Sequence, residues 1–232
     1  MPIGIIVNCL AVFAGGAIGA LIGPVLPERI KEDLNKTFGF VALVLGVILV
    51  TKTNNLGAVA LAVITGMLIG SLLNINDHMN SAIIKLNKKI VGKGFKSPEA
   101  ADKLGLLVVI FAFGCTTLMG PVMALKDGDN SMMLTKAVMD FFTAIIFGSI
   151  LGFSVSLIAF PQFLMYSICL LCARFIIRFL SGGAYGDFEG VGGIISLFAG
   201  MKLIGACDIK ASNALLAMVL VIPFSIIWQS IF

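Results

Sequence analysis

Histidine and charge are scarce in this chain. His78 is the single histidine among 232 residues, and only 12% of the residues are charged. A metal site built on imidazoles needs more than one of them, which removes that class. A soluble domain has roughly a quarter of its residues charged, and half that share does not cover a surface of this size. Long polar stretches are missing too. The longest, Asn74 to Lys103, spans 30 residues and leaves little room for a soluble domain. The sequence has no hydrolase elbow, no Walker loop, no paired His/Cys ligand set and no haem attachment motif. It is therefore read as not an enzyme, with no cofactor and no metal.

The five cysteines (Cys9, Cys115, Cys169, Cys172, Cys207) fall mostly in apolar runs. Cys169 and Cys172 have redox or metal spacing, but Ile168, Leu170, Leu171 and Ala173 surround them. They are read as small apolar residues. The formal charge is +4, and Lys85, Lys88, Lys89, Lys93, Lys96 and Lys103 all lie in one central loop. That cluster is read as a topology signal, which makes loop 74–103 cytoplasmic. Nucleic acid is not expected as a partner.

What is present is apolar sequence. Hydrophobic residues make up 59% of the chain, and the mean hydropathy is +1.09. In a bilayer the outside of a helix is as apolar as its inside, so charge is not needed there. Eight stretches are expected to be helical spans: 3–23, 37–51, 56–73, 104–125, 132–153, 155–179, 189–206 and 211–231. A bilayer core needs about 20 apolar residues as helix. The second and seventh stretches fall short, because Lys36 and Lys52 bracket 15 residues and Glu189 and Lys202 bracket 12. Thr51 to Asn55 is a tight turn between spans two and three, so that pair crosses as a hairpin or re-enters. The first stretch starts at Met1-Pro2-Ile3-Gly4 with no positive leader and is read as a retained span. The fold class is thus an all-α membrane protein, a polytopic bundle of seven or eight transmembrane helices forming one domain over 1–232 in the plasma membrane. Within the loop, Ala82 to Val91 alternates apolar residues and lysines at helical spacing and reads as an interfacial amphipathic helix.

A weak internal repeat runs at an offset of 154 residues. Asp33, Gly39, Leu43, Gly46, Leu49, Ala60 and Leu61 match Asp187, Gly193, Leu197, Gly200, Leu203, Ala214 and Leu215, and Asn8 meets Gln162. The offset lays span one over span six. An odd number of spans separates them, so the two units would be inverted in the membrane. That is a secondary-transporter architecture in which short or Gly-interrupted helices mark the site. Spans two and seven are that pair.

Polar residues inside apolar helices are the functional candidates. Lys136 and Asp140 lie one turn apart. They are either an ion pair at a helix end or an anchor for an ion, a substrate or a proton. Asp187 and Glu189 are expected to precede span seven, stabilised by its dipole or binding a cation. Asn8 is an interhelical hydrogen-bond former or a lining residue, and Asn213 a helix N-cap or a lining residue. Thr116 and Thr117 precede the Gly120-Pro121 break, whose freed carbonyls need burial or a cavity. Lys202 is expected to snorkel. Gly15, Gly19 and Gly23 share one helix face, and Gly66 with Gly70 and Gly148 with Gly152 repeat the spacing. These are read as helix-packing positions.

Several of these residues carry a resemblance. Gly4-x-x-x-Asn8, Gly15-Gly16-x-x-Gly19 and Pro27-Glu28-Arg29 resemble the start of a bacterial multi-pass family. So do Leu134-Thr135-Lys136-x-x-x-Asp140, Gly192-Gly193 with Gly200, and Ile209-Lys210-x-x-Asn213. The sequence is similar to the family of domain of unknown function 554, the YdfK/YqgA-like proteins, from residue 3 to about 222. Ser71 departs from it, standing where a glutamate is expected after Gly66-x-x-x-Gly70. The resemblance implies a membrane location and a prokaryotic origin, and no activity. The function expected from the residues is a small secondary transporter or channel for a small ion or polar metabolite. The alternative is a membrane scaffold that packs partner helices on its glycine faces. The lipid bilayer and a homo-oligomer are the expected associations.

Overall fold

The computed structural model describes residues 3–91, 98–113, 117, 121, 124, 128, 130–179 and 183–231. Helix accounts for nearly all of them, and no strand occurs among the described residues. The helices are α1 (Ile3–Ile22), α2 (Glu28–Val50), α3 (Leu56–Leu72), α4 (Ile75–Val91), α5 (Pro98–Phe113), α6 (Ser131–Leu151), α7 (Ala159–Phe179), α8 (Ala184–Leu203) and α9 (Leu215–Ile231). A 3-10 segment, Gly152–Ile158, joins α6 to α7, and a shorter one, Ala211–Ala214, leads into α9. Large apolar side chains such as Leu21, Phe40, Ile64, Phe142 and Val219 are exposed. Water would penalise that arrangement and lipid does not.

Three stretches among the described residues are long and apolar enough to cross a membrane: Ile3–Ile22, Met133–Leu171 and Ala211–Ile231. A fourth is the pair Leu56–Leu72 and Ile75–Ala82, bent by 61° at its break. This is fewer than the seven or eight expected, for identifiable reasons. The first turns of α2 carry Glu28, Arg29, Lys31, Glu32, Asp33 and Lys36, so its apolar part is only Lys36–Val50. Helix α8 is 20 residues long but contains Asp187, Glu189 and Lys202. Expected span four runs past α5 into residues that are largely outside the described ones, Thr116 and Gly120 among them.

The 39-residue run Met133–Leu171 is two legs. A straight helix would separate Asp140 from Gln162 by roughly 33 Å, yet their side chains are hydrogen-bonded at 3.1 Å. The chain folds back near Gly152, whose φ of +72° and open surroundings suit a residue without Cβ. Gly152 therefore turns the chain and does not pack a helix as the spacing implied.

The chain divides into two compact units, residues 1–36 with 79–173, and residues 37–78 with 174–232. In the first, α6 runs parallel to α1, and the 3-10 segment and α7 return antiparallel to it. A Cβ added at Gly15 would stand 2.5 Å from the Phe141 carbonyl oxygen, and one at Gly23 2.5 Å from that of Ser149. Gly19 and Gly148 meet between these points, and the Ser156 hydroxyl donates to the Phe13 carbonyl at 3.0 Å. Close backbone approach is what these glycines supply. In the second unit, α2 and α8 pack antiparallel: Gly39 opposes Gly200, and Gly46 opposes Gly193. Helices α3 and α9 do the same, with Gly66 against Ala217 and Gly70 against Asn213.

Candidate functional site

In the first unit, three helices bring polar side chains to one buried point. Helix α1 supplies Asn8, α6 supplies Lys136 and Asp140, and α7 supplies Gln162; all four are buried. Asp140 Oδ2 accepts from the Lys136 ammonium at 2.5 Å, from Asn8 Nδ2 at 2.9 Å and from Gln162 Nε2 at 3.1 Å. Gln162 Nε2 also donates to Asn8 Oδ1 at 2.5 Å. The spacing of four residues puts Lys136 and Asp140 on one helix face. The Lys136 ammonium also stands 5.7 Å from the Phe111 ring centroid, within cation–π range.

Amide orientations in this cluster follow from its chemistry. An ionised carboxylate only accepts, so Asn8 must present its NH2 to Asp140 and its oxygen to Gln162. Gln162 must then present its own NH2, which turns Oε1 away. Among the described residues, Gln162 Oε1 and the hydroxyl of Tyr166, one turn further along α7, are buried without a well-formed hydrogen bond, although the Tyr166 hydroxyl faces the Gln162 and Thr117 side chains. Buried polar atoms lacking partners are rare and costly, and each calls for a reason. Thr117, by contrast, is buried and satisfied, with its hydroxyl donating to the Phe111 carbonyl at 2.7 Å. Its side chain also faces the Tyr166 hydroxyl.

The acids of the second unit are held differently. Helix α8 begins at Ala184, so Asp187 and Glu189 lie inside it and do not precede it as expected. Asp187 accepts from the backbone N–H of Asn54 at 2.9 Å, the N–H of Asn55 at 2.6 Å, the Asn55 side chain at 2.8 Å and the Ser225 hydroxyl at 2.6 Å. It satisfies orphan donors at the start of α3 from a neighbouring helix. Glu189 pairs with Lys52 at 2.8 Å, Lys52 being 46% exposed. Asn213 likewise serves another helix: its Oδ1 accepts from the Asn76 N–H at 2.9 Å, in the first turn of α4, and its Nδ2 donates to Ser71 Oγ at 3.2 Å. The expected N-cap of its own helix is thus an N-cap in trans. Lys202 is half-buried near the end of α8. Among the described residues no group of three or more His, Cys, Asp or Glu side chains is placed to hold a metal ion.

The profile of the family described as "Protein of unknown function (DUF554)" matches residues 3–226. The chain belongs to this family. It is 33% identical over the full length of both chains to "Uncharacterized protein YqgA" of Escherichia coli strain K12. It is 28% identical to "Uncharacterized membrane protein YdfK" of Bacillus subtilis strain 168, over 91% of this chain and 90% of the relative. No solved structure matches. This DUF554 chain carries a buried polar cluster on α1, α6 and α7.

Within this DUF554 chain, sequence reasoning did not single out Gln162 or Tyr166 as site residues. The signal for Gln162 was present, since it is the repeat partner of Asn8 and both are polar positions in apolar helices. Tyr166 carried no such signal. The structure joins Asn8 with Lys136 and Asp140, and places Asp187, Glu189 and Asn213 in separate contacts of the second unit.

Proposed function

We propose that the chain is a small secondary transporter or channel that passes a small ion or polar metabolite across the plasma membrane, with loop 74–103 on the cytoplasmic side. The single observation that carries this reading is the Asp140 cluster. A carboxylate, an ammonium and two amides are buried among apolar helices, where each is expensive to keep and marks a pathway by default. Catalysis is not part of the proposal, because the cluster contains no nucleophile set against a base.

We also propose an inverted repeat, α1–α3 against α7–α9. The support is geometric. Residues related by the 154-residue offset meet each other in antiparallel pairs. Asn8 binds Gln162 directly. Gly39 faces Gly200 while Gly46 faces Gly193, and 39 corresponds to 193 as 46 does to 200. A two-fold operation would exchange those two contacts. Polar sites at the junction of inverted repeats are where such carriers bind their cargo. Exposed apolar faces and glycine contacts also fit the scaffold alternative and a homo-oligomer.

Current from proteoliposomes on a solid-supported membrane tests the transport reading. Sodium, proton, potassium, fluoride, amino acid and carboxylate gradients are applied to the wild type and to Asp140→Asn. A current in the wild type that the substitution removes is the expected result. Silence across the panel from folded protein, together with a stoichiometric partner copurifying from native membranes, favours the scaffold.

A further inference from the structure

Asp140 Oδ2 receives donors from Lys136, Asn8 and Gln162 at once. An alkali cation would have to displace these donors to reach that oxygen. An anion finds the ammonium already held by Asp140. A proton needs neither space nor a vacated coordination position. The cluster also holds the Gln162 side chain and the Tyr166 hydroxyl that faces it, both fully buried on one face of α7. Such groups serve proton movement well, because a hydroxyl both gives and receives hydrogen bonds.

We propose that the Asp140 cluster is a proton-carrying site and that the proton is the ion moved or coupled by this protein. The proposal rests on the transport reading above. Asp140 is the carrier and Lys136 the group that discharges it. A proton arriving at Asp140 forms an O–H bond on the carboxylate, leaves a neutral acid and frees Lys136 from its counter-ion, so the cluster passes from zero to one positive charge. When the Lys136 ammonium closes on Asp140 again, the O–H bond breaks, the proton leaves to the opposite side and the ion pair is restored. The titratable groups facing Asp140 are Lys136 on α6, Cys9 on α1 and Tyr166 on α7; α5 presents the Phe111 ring to Lys136.

The test uses the full chain in proteoliposomes containing a pH-sensitive dye, with a potassium diffusion potential set by valinomycin. Wild-type vesicles are expected to acidify inside when the potential is negative, and Asp140→Asn vesicles to match empty ones. Infrared titration of the detergent-solubilised protein reads the same site without transport. A protonated-carboxyl band lost in Asp140→Asn is expected, and that band should change in Lys136→Gln. The double variant Lys136→Met/Asp140→Asn carries no charge in this cluster and controls for folding. Unchanged acidification in Asp140→Asn overturns the proposal, as does a band indifferent to Lys136. A wild-type current carried by another substrate with no pH change also overturns it and leaves the transport reading standing. Absence of any current, proton current included, removes support from both.

Discussion

Asp140 and Asp187 are both buried carboxylates on apolar helices, and the protein treats them in opposite ways. Asp187 spreads four hydrogen bonds over both oxygens, two of them from backbone N–H groups of the turn before α3. Asp140 takes three side-chain donors on one oxygen, and one of them is a lysine four residues away. Backbone donors are fixed by the helix they begin, so Asp187 is an anchor. Side-chain donors on three helices can be rearranged, and among the described residues the Gln162 and Tyr166 oxygens beside them lack well-formed hydrogen bonds. A carboxylate in a membrane is informative through the kind of donors it receives and not through its burial alone.

The contrast can be broken by substitution, most severely at Asp187. Asp187→Ala strands the N–H groups of Asn54 and Asn55 and the Asn55 and Ser225 side chains. A loss of about 4 kcal/mol or more is expected from four stranded donors, read as a large fall in Tm by thermal unfolding in detergent. Asp140→Asn keeps the shape and is expected to lose less stability than Asp187→Ala while losing transport. The reverse order would erase the distinction between anchor and carrier.

A double-mutant cycle sharpens the Asp140 side. Lys136→Met and Asp140→Asn each leave one buried partner without its counterpart, at about 3 kcal/mol, whereas the double variant should recover part of that, with a coupling of about 1–3 kcal/mol. Additive losses would mean that the two groups do not stabilise each other. A smaller effect is expected for Lys52→Gln. Its partner Glu189 is buried, but Lys52 is 46% exposed, and solvent screening holds the loss under about 1 kcal/mol.

The smallest effect belongs to Asp77, which pairs with Lys210 at 3.0 Å on the exposed side of the second unit. The hydrogen bond from Lys210 holds the Asp77 carboxyl below its usual range. A depressed folded value contributes stability above the unfolded carboxylate value of about 3.9 and loses it as pH falls through the folded value. Both partners are exposed, so Asp77→Asn should change the acid limb of a Tm-versus-pH curve only slightly. A large change would show that this pair is buried in the assembled protein.

Much of the fold was legible because hydropathy is a local property. The apolar helix α1, the turn at 51–55, the helix over 82–91 and the fold-back between 132–153 and 155–179 all follow from runs of residue types. The start of α8 was misread, because Asp187 and Glu189 look like residues outside a span until donors in the 52–55 turn and Ser225 are known. Asn213 looked like the cap of its own helix because sequence displays neighbours along the chain only. Gln162 and Tyr166 went unmarked for the same reason.

The sequence by itself determined that this chain is helical and apolar, which residues are polar within the apolar runs, and where glycines recur. Those are properties of single residues and their spacing. Only the tertiary structure decided which polar residues meet, and so separated the Asp140 cluster from the Asp187 anchor. A carboxylate's role is set by the donors that reach it, and in both places most of those donors lie more than a hundred residues, or one hairpin, away along the chain.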